Sequence, residues 1–228
     1  MKLLRSFAAG VLLLPLTLAT FYNLPSAFLS LQSEMESLSL LFSGAILYSL
    51  IEGLFNRPMR TYVFGHELTH ALASMAFGGR VKDFKVSARG GSVQLTKTNF
   101  FVALAPYCIP LYALFVVLAY ALGRKFYPGR VLEIVFPIVL GVSLAFHVSL
   151  TLYALRQRQP DIHKTGTFFS LVFILLANAW VLIALSKLVF WRSFAVRGLV
   201  WGVINTQASL WRWIGGKGLD LIKLADSR

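Results

Sequence analysis

The sequence predicts an all-α membrane protein, with about six transmembrane helices, a small β-hairpin after the third and a C-terminal amphipathic helix. Three observations carry that expectation. Apolar residues make up 57% of the 228 and mean hydropathy is +0.70, outside the usual range of soluble globular chains. Several stretches approach the roughly 20 apolar residues that cross a bilayer. The 22 Lys and Arg, which give a formal charge of +13, fall almost entirely between those stretches or in the C-terminal tail.

The first apolar segment covers residues 6–31. Lys2 and Arg5 precede its apolar run, as in a signal peptide, but no clear small-x-small cleavage site follows and the apolar character resumes through Phe21 to Leu31. It is read as a retained first span. Residues 38–55 form the second, after a short acidic connector with Glu34 and Glu36, and residues 61–77 form the third. A polar, glycine-rich stretch follows over 78–99, in which the residues on either side of Gly90 and Gly91 alternate like short strands, the pattern of a β-hairpin. The fourth and fifth segments, 100–122 and 131–155, are separated by a basic turn with Pro128 and Gly129. The sixth, 167–191, comes after a basic linker with Pro160 and Asp161.

Beyond Trp191 the apolar residues Val196, Leu199, Val200, Val203 and Ile204 recur mostly at helical spacing among Arg192, Arg197 and Arg212. That suits a helix lying on the membrane surface, with Trp201, Trp211 and Trp213 at the headgroups, or one packed on the helical body. With no internal repeat or low-complexity linker, the chain reads as a single integral membrane domain over 1–228. Its parts are N-terminal spans over 1–60, a core over 61–191 and an interfacial helix over 192–228.

Charge placement narrows the partners. Basic residues flanking apolar spans orient the chain and contact anionic lipid headgroups, and there is no aromatic-and-basic pattern of a nucleic-acid module, so no nucleic-acid partner is expected. Lys2 and Arg5 favour a cytoplasmic N-terminus, which puts the acidic connector outside and Arg57 and Arg60 back inside. Every later connection is basic, and the rule loses its force there. The lone Cys108 lies inside an apolar stretch, which excludes an intrachain disulfide and a cysteine-based metal cluster.

The chemistry sits in the third segment, in Gly65-His66-Glu67-Leu68-Thr69-His70-Ala71-Leu72-Ala73. Residues four apart on an α-helix lie about 40° apart around the axis and about 6 Å along it, so His66 and His70 project from one face and can share one ion. Neutral imidazole is a good zinc ligand, and Glu67 beside it can take a proton from an attacking water and pass it to a leaving amine. A structural histidine and a chance five-residue match are the bland alternative. Against it, an ionisable residue at membrane depth costs about 2.5 to 3.5 kcal/mol on insertion scales, and a cation compensates it.

A tetrahedral catalytic zinc takes a third protein ligand, and the candidates are Asp161, His147 and His163. His147, in the fifth segment, also suits a transition-state stabiliser or a packing residue. His163 shares the basic linker with Asp161 and suits a solvated position. Glu52 and Glu133 suit ion pairs or the interface, and Asn178 a hydrogen bond between helices.

From Thr61 to Asn178 the chain resembles the site-2 protease family of intramembrane metalloproteases, in particular its small bacterial members without extra soluble domains. The resemblance lies in the motif helix, in Gly78-Gly79-Arg80-Val81, in the Gly90-Gly91 hairpin, and in Asn99 to Pro106 opening the next span. It implies one zinc ion held by His66, His70 and a downstream aspartate, with Glu67 as catalytic acid and base. The hairpin would guide substrate. It favours Asp161, which follows a proline as the family's aspartate does, although the longer signature of Asn and two prolines before Asp-Gly is absent. Implied with these are a membrane-protein substrate cut in or near its transmembrane segment and a place in a bacterial cytoplasmic membrane. A non-catalytic metal-binding membrane protein is the rival reading. A metal-ion transporter ranks below it, because the spans are poor in the polar residues that would line an ion path.

Overall fold

The computed structural model describes residues 2–157 and 159–226, with side chains described for 3–157 and 159–217. The chain is mostly helical. In order it forms α1 (Lys2–Leu29), a 3-10 turn (Ser30–Glu34), α2 (Met35–Leu54), α3 (Met59–Ala76), β1 (Val81–Ser87), β2 (Gly90–Leu95) and α4 (Phe100–Cys108). There follow α5 (Leu111–Phe126), α6 (Arg130–Arg156), the short α7 (Pro160–Thr165), α8 (Thr167–Val189) and α9 (Val196–Asp226).

Among the described residues, three helical stretches are long and apolar enough to cross a membrane: Leu3–Leu54, Arg130–Arg156 and Thr167–Val189. A fourth arises if α4 and α5, bent by 67° at their junction, count as one broken span. The helix with the histidine motif is not among them. It has 18 residues and carries His66, Glu67, Thr69, His70 and Ser74, which lower its apolar content. Large apolar side chains stand exposed along the three stretches, among them Leu50 and Leu54, Val148 and Leu152, and Leu175 and Leu188. Apolar surface of that extent is expected only where lipid or a partner covers it.

The helices cluster into two compact units. Residues 34–167 form one, and residues 1–33 with 168–228 form the other. In the second of these, α9 lies on α1. Leu199 and Val203 are buried, the Asn23 amide donates to the Thr206 hydroxyl at 3.0 Å, and Gly202 leaves room for Asn23, whose Oδ1 would lie 2.4 Å from a Cβ there. The buried stripe of this amphipathic helix is therefore spent on α1, while Trp201 and Trp213 face outward.

The unit over 34–167 holds the motif. Its base is the α2–α6 pair, where two glycines let the backbones touch: a Cβ on Gly44 would lie 2.0 Å from the Ile138 carbonyl oxygen, and one on Gly141 would lie 1.9 Å from that of Leu41. Small residues allow such close approach of apolar helices where no hydrophobic effect drives them together. At the end of the pair Glu52 takes hydrogen bonds from Ser149 and Arg57, and the Arg57 guanidinium lies 4.8 Å over the Tyr153 ring.

Helix α3 stops where Gly78 adopts φ +72°, which lets the Gly79 amide return to the Ser74 carbonyl at 2.8 Å. The chain then enters the antiparallel β1–β2 hairpin, paired from Ser87↔Gly90 to Val81↔Leu95 with one irregularity between Val81 and Asp83. The hairpin leans on α3, with the Phe84 ring edge-on to Phe64 at 6.0 Å. Gly91 makes the closest approach: a Cβ there would lie 2.6 Å from Val63 and 2.9 Å from the Glu67 side chain. Asn99 then caps α4 by accepting from the Val102 amide at 2.9 Å.

Candidate metal centre

Because His66 and His70 stand one turn apart on α3, their ring centroids are 4.8 Å apart and their Nε2 atoms 3.2 Å apart. Asp161 brings a third donor, with its Oδ2 3.4 Å from His70 Nε2. One ligand atom from each of the three lies within 4.8 Å of the others. Bonds of about 2.0 to 2.1 Å to a tetrahedral ion put neighbouring ligand atoms about 3.3 Å apart, so the two measured separations already match the edges of such a shell.

The hydrogen bonds behind the rings fix which nitrogen faces the centre. His70 Nδ1 lies 2.8 Å from the Val102 carbonyl oxygen, an acceptor only, so Nδ1 carries the proton and Nε2 offers a lone pair. His66 Nδ1 lies 3.4 Å from the Tyr62 hydroxyl. Ligating histidines have such outer partners as a rule. With Nε2 of both rings and a carboxylate oxygen turned on one point, three electron-rich atoms face each other in a site where His70 is buried and Asp161 is 29% exposed. A cation removes that repulsion, and His66, His70 and Asp161 could hold one.

Local sequence explains how Asp161 arrives. Pro160 occupies the first turn of α7, where its missing N–H costs nothing, and the buried Ile162 anchors the helix. Gly166 at φ +97° ends it. The carboxylate is thus presented from a short helix within what the sequence shows as a basic linker. Burial alone would raise the Asp161 carboxyl; with a proton at His70 Nε2 in the place of an ion, the hydrogen bond and charge of His70, with smaller help from His66 and Lys164, hold it below the ordinary carboxylate range.

Glu67 is buried and stands outside the group of three. Its side chain lies against Gly91 and near the Val93 amide of β2, and the charges of His70 and Asp161 act on it. Glu67 is thus not one of the three converging donors. His147 is not in the group either; with His66 it lines a pocket between α3, the α4–α5 junction and α6. His163 is exposed on α7, with its Nδ1 3.4 Å from the Thr167 hydroxyl. Asn178 donates to the Ile174 carbonyl on its own helix at 2.8 Å, Glu52 pairs with Arg57, and Cys108 is buried.

Two tyrosines at the centre escaped the sequence reading. Tyr62 sits one turn before His66, and that spacing was the available signal. Tyr107 packs edge-on to the His66 ring at 5.3 Å and lies within electrostatic reach of Asp161. It comes from α4, and no local pattern ties it to the motif.

No family model matches the chain, nor does any curated protein or solved structure. The likeness to site-2 proteases rests on the motif residues themselves.

Proposed function

We propose that the protein is an intramembrane zinc metalloprotease that hydrolyses a peptide bond in or near the transmembrane segment of another membrane protein. The observation that supports this reading is the convergence of His66, His70 and Asp161, with His70 Nε2 3.2 Å from His66 Nε2 and 3.4 Å from Asp161 Oδ2, and with the buried Glu67 one residue along the helix but outside the group. Zinc is the ion this donor set suits, two imidazoles and one carboxylate with a position left over, and when bound it supplies a Lewis acid that activates water near neutral pH.

The chain's own residues do the rest. His66 and His70 bind through Nε2, each held in orientation from behind by Tyr62 and the Val102 carbonyl. Glu67 takes the proton of the attacking water and returns it to the departing amine. The Glu67 side chain faces the hairpin, against Gly91 and near the Val93 amide. A substrate helix must unwind to expose a peptide bond, and the edge of the hairpin offers backbone groups to an extended segment as an added strand.

In this reading α1 and α2, at 28 and 20 residues, rise about 42 and 30 Å and each crosses the bilayer. With α3, the α4–α5 pair, α6 and α8 they make six spans in a cytoplasmic membrane of bacterial type, and the basic connections meet anionic headgroups. The test is fragment analysis of membrane proteins from cells producing wild type or Glu67→Gln. Loss of specific fragments with Glu67→Gln is expected. Identical fragments, with function lost only on His66→Ala, would favour the non-catalytic metal-binding protein instead.

A further inference from the structure

Of the two histidines, His66 is the less firmly held. His70 meets a backbone carbonyl, which cannot turn, whereas His66 Nδ1 meets the Tyr62 hydroxyl at 3.4 Å. Where that hydroxyl stands depends on the Tyr62 ring, which belongs to the first turn of α3 and lies edge-on to His66 at 5.5 Å. The ring also meets Tyr153 of α6 edge-on, with centroids 6.5 Å apart and planes at 89°. Over the Tyr153 ring lies the Arg57 guanidinium, its carbon 4.8 Å from the centroid. Arg57 sits in the connection between α2 and α3, and its Nε donates to Glu52 Oε1 of α2. The other Glu52 oxygen accepts from the Ser149 hydroxyl of α6. A cation anchored to α2 and α6 thus stands two rings away from a metal ligand.

As an ion pair alone the contact would matter little, since the Arg57 side chain is 39% exposed and such pairs stabilise a fold weakly. Nor does the α3 backbone depend on it. The Tyr112 hydroxyl donates to the Thr61 carbonyl at 2.6 Å, and Gly65 admits the Tyr112 ring, so the start of the helix is pinned from α5. What Arg57 can hold is side chains: a cation over an aromatic face and an edge-to-face pair both favour one ring orientation. The route ends at His66, because His70 takes its orientation from α4.

Resting on the metal-binding reading of the centre, we infer that Arg57 is a positioning residue for His66. Anchored by Glu52, it holds the Tyr153 ring against Tyr62, and the Tyr62 hydroxyl holds the ligand ring.

The test is the zinc affinity of the purified full-length protein in detergent, by competition with a chelator of known strength, over a double-mutant cycle. Arg57→Ala is expected to bind zinc about three- to tenfold more weakly than wild type, less than the loss from removing the Tyr62 hydroxyl itself. Made on top of Tyr62→Phe, the same change should add less than about twofold, because the route is already cut. Tyr153→Phe keeps the ring and should stay within about twofold of wild type, while Tyr153→Leu should fall with Arg57→Ala. Wild-type affinity in Arg57→Ala or in Tyr62→Phe overturns the inference. So does an Arg57→Ala loss that recurs in full on the Tyr62→Phe background, the result of a general loosening. If Arg57→Ala does not fold, Tyr153→Leu alone and combined with Tyr62→Phe decides by the same comparison. A wild-type protein that binds no zinc overturns the metal reading and the inference together.

Discussion

At the residue scale the centre is decided by which nitrogen of each imidazole points inward. The Val102 carbonyl settles this for His70 at 2.8 Å, whereas His66 has the longer 3.4 Å contact with a phenol that rotates. Tyr62→Phe keeps the ring and its edge-on packing against Tyr153 but removes the hydroxyl. Outer partners of this kind are worth about 10- to 100-fold in metal affinity, and a loss in that range is expected for Tyr62→Phe in competition with a chelator of known strength. Unchanged affinity would mean that the packing around His66 suffices. Glu67→Gln should behave in the opposite way, retaining the metal while cleavage falls by at least about 10²-fold, because the amide holds the same space and cannot carry the proton. The histidine pair could be read from sequence because both ligands share one helix and a four-residue spacing translates directly into geometry. Asp161 could not be derived that way. It reaches the pair across the fold, and only the family likeness chose it over His147, which the structure places in the wall of the pocket.

At the scale of elements, two contacts without side chains carry the arrangement. The α2–α6 crossing depends on Gly44 and Gly141 standing against backbone carbonyls, so no rotamer change can absorb an added methyl group. Gly141→Ala should lower the thermal midpoint in detergent, at a cost of about 1 to 3 kcal/mol, the range of an overpacked core. The Gly91 contact is different in kind, because it seats the hairpin on the Glu67 side chain. Gly91→Val should therefore impair cleavage with little loss of metal, read as fragment yield beside zinc content. Hairpin and motif helix were visible as patterns, alternation around Gly90-Gly91 and an apolar run interrupted by ionisable groups. What the patterns could not contain is the closeness of the two, because a glycine reads alike whether it serves a turn or a packing contact. The short helix α7 was likewise hidden: Pro160 signals an extended entry and a helix start equally well.

At the scale of the whole molecule, the apolar composition and the exposed apolar side chains along α1, α2, α6 and α8 agree on a membrane environment. Counting spans from apolar segments is less direct. The polar motif thins the apolar content of α3, a proline bends the α4–α5 segment, and α1 and α2 follow each other through a short 3-10 turn, so that three or four helices pass by length and apolarity where six segments stand in the sequence. All of these features serve one claim, that three donors from two separate stretches of chain meet around one ion. The most direct test is metal analysis of the purified protein beside His66→Ala, His70→Ala, Asp161→Ala and His147→Ala. One zinc per chain in wild type and in His147→Ala, and loss from the other three, is the predicted result. Full zinc in Asp161→Ala together with loss in His147→Ala would contradict the account.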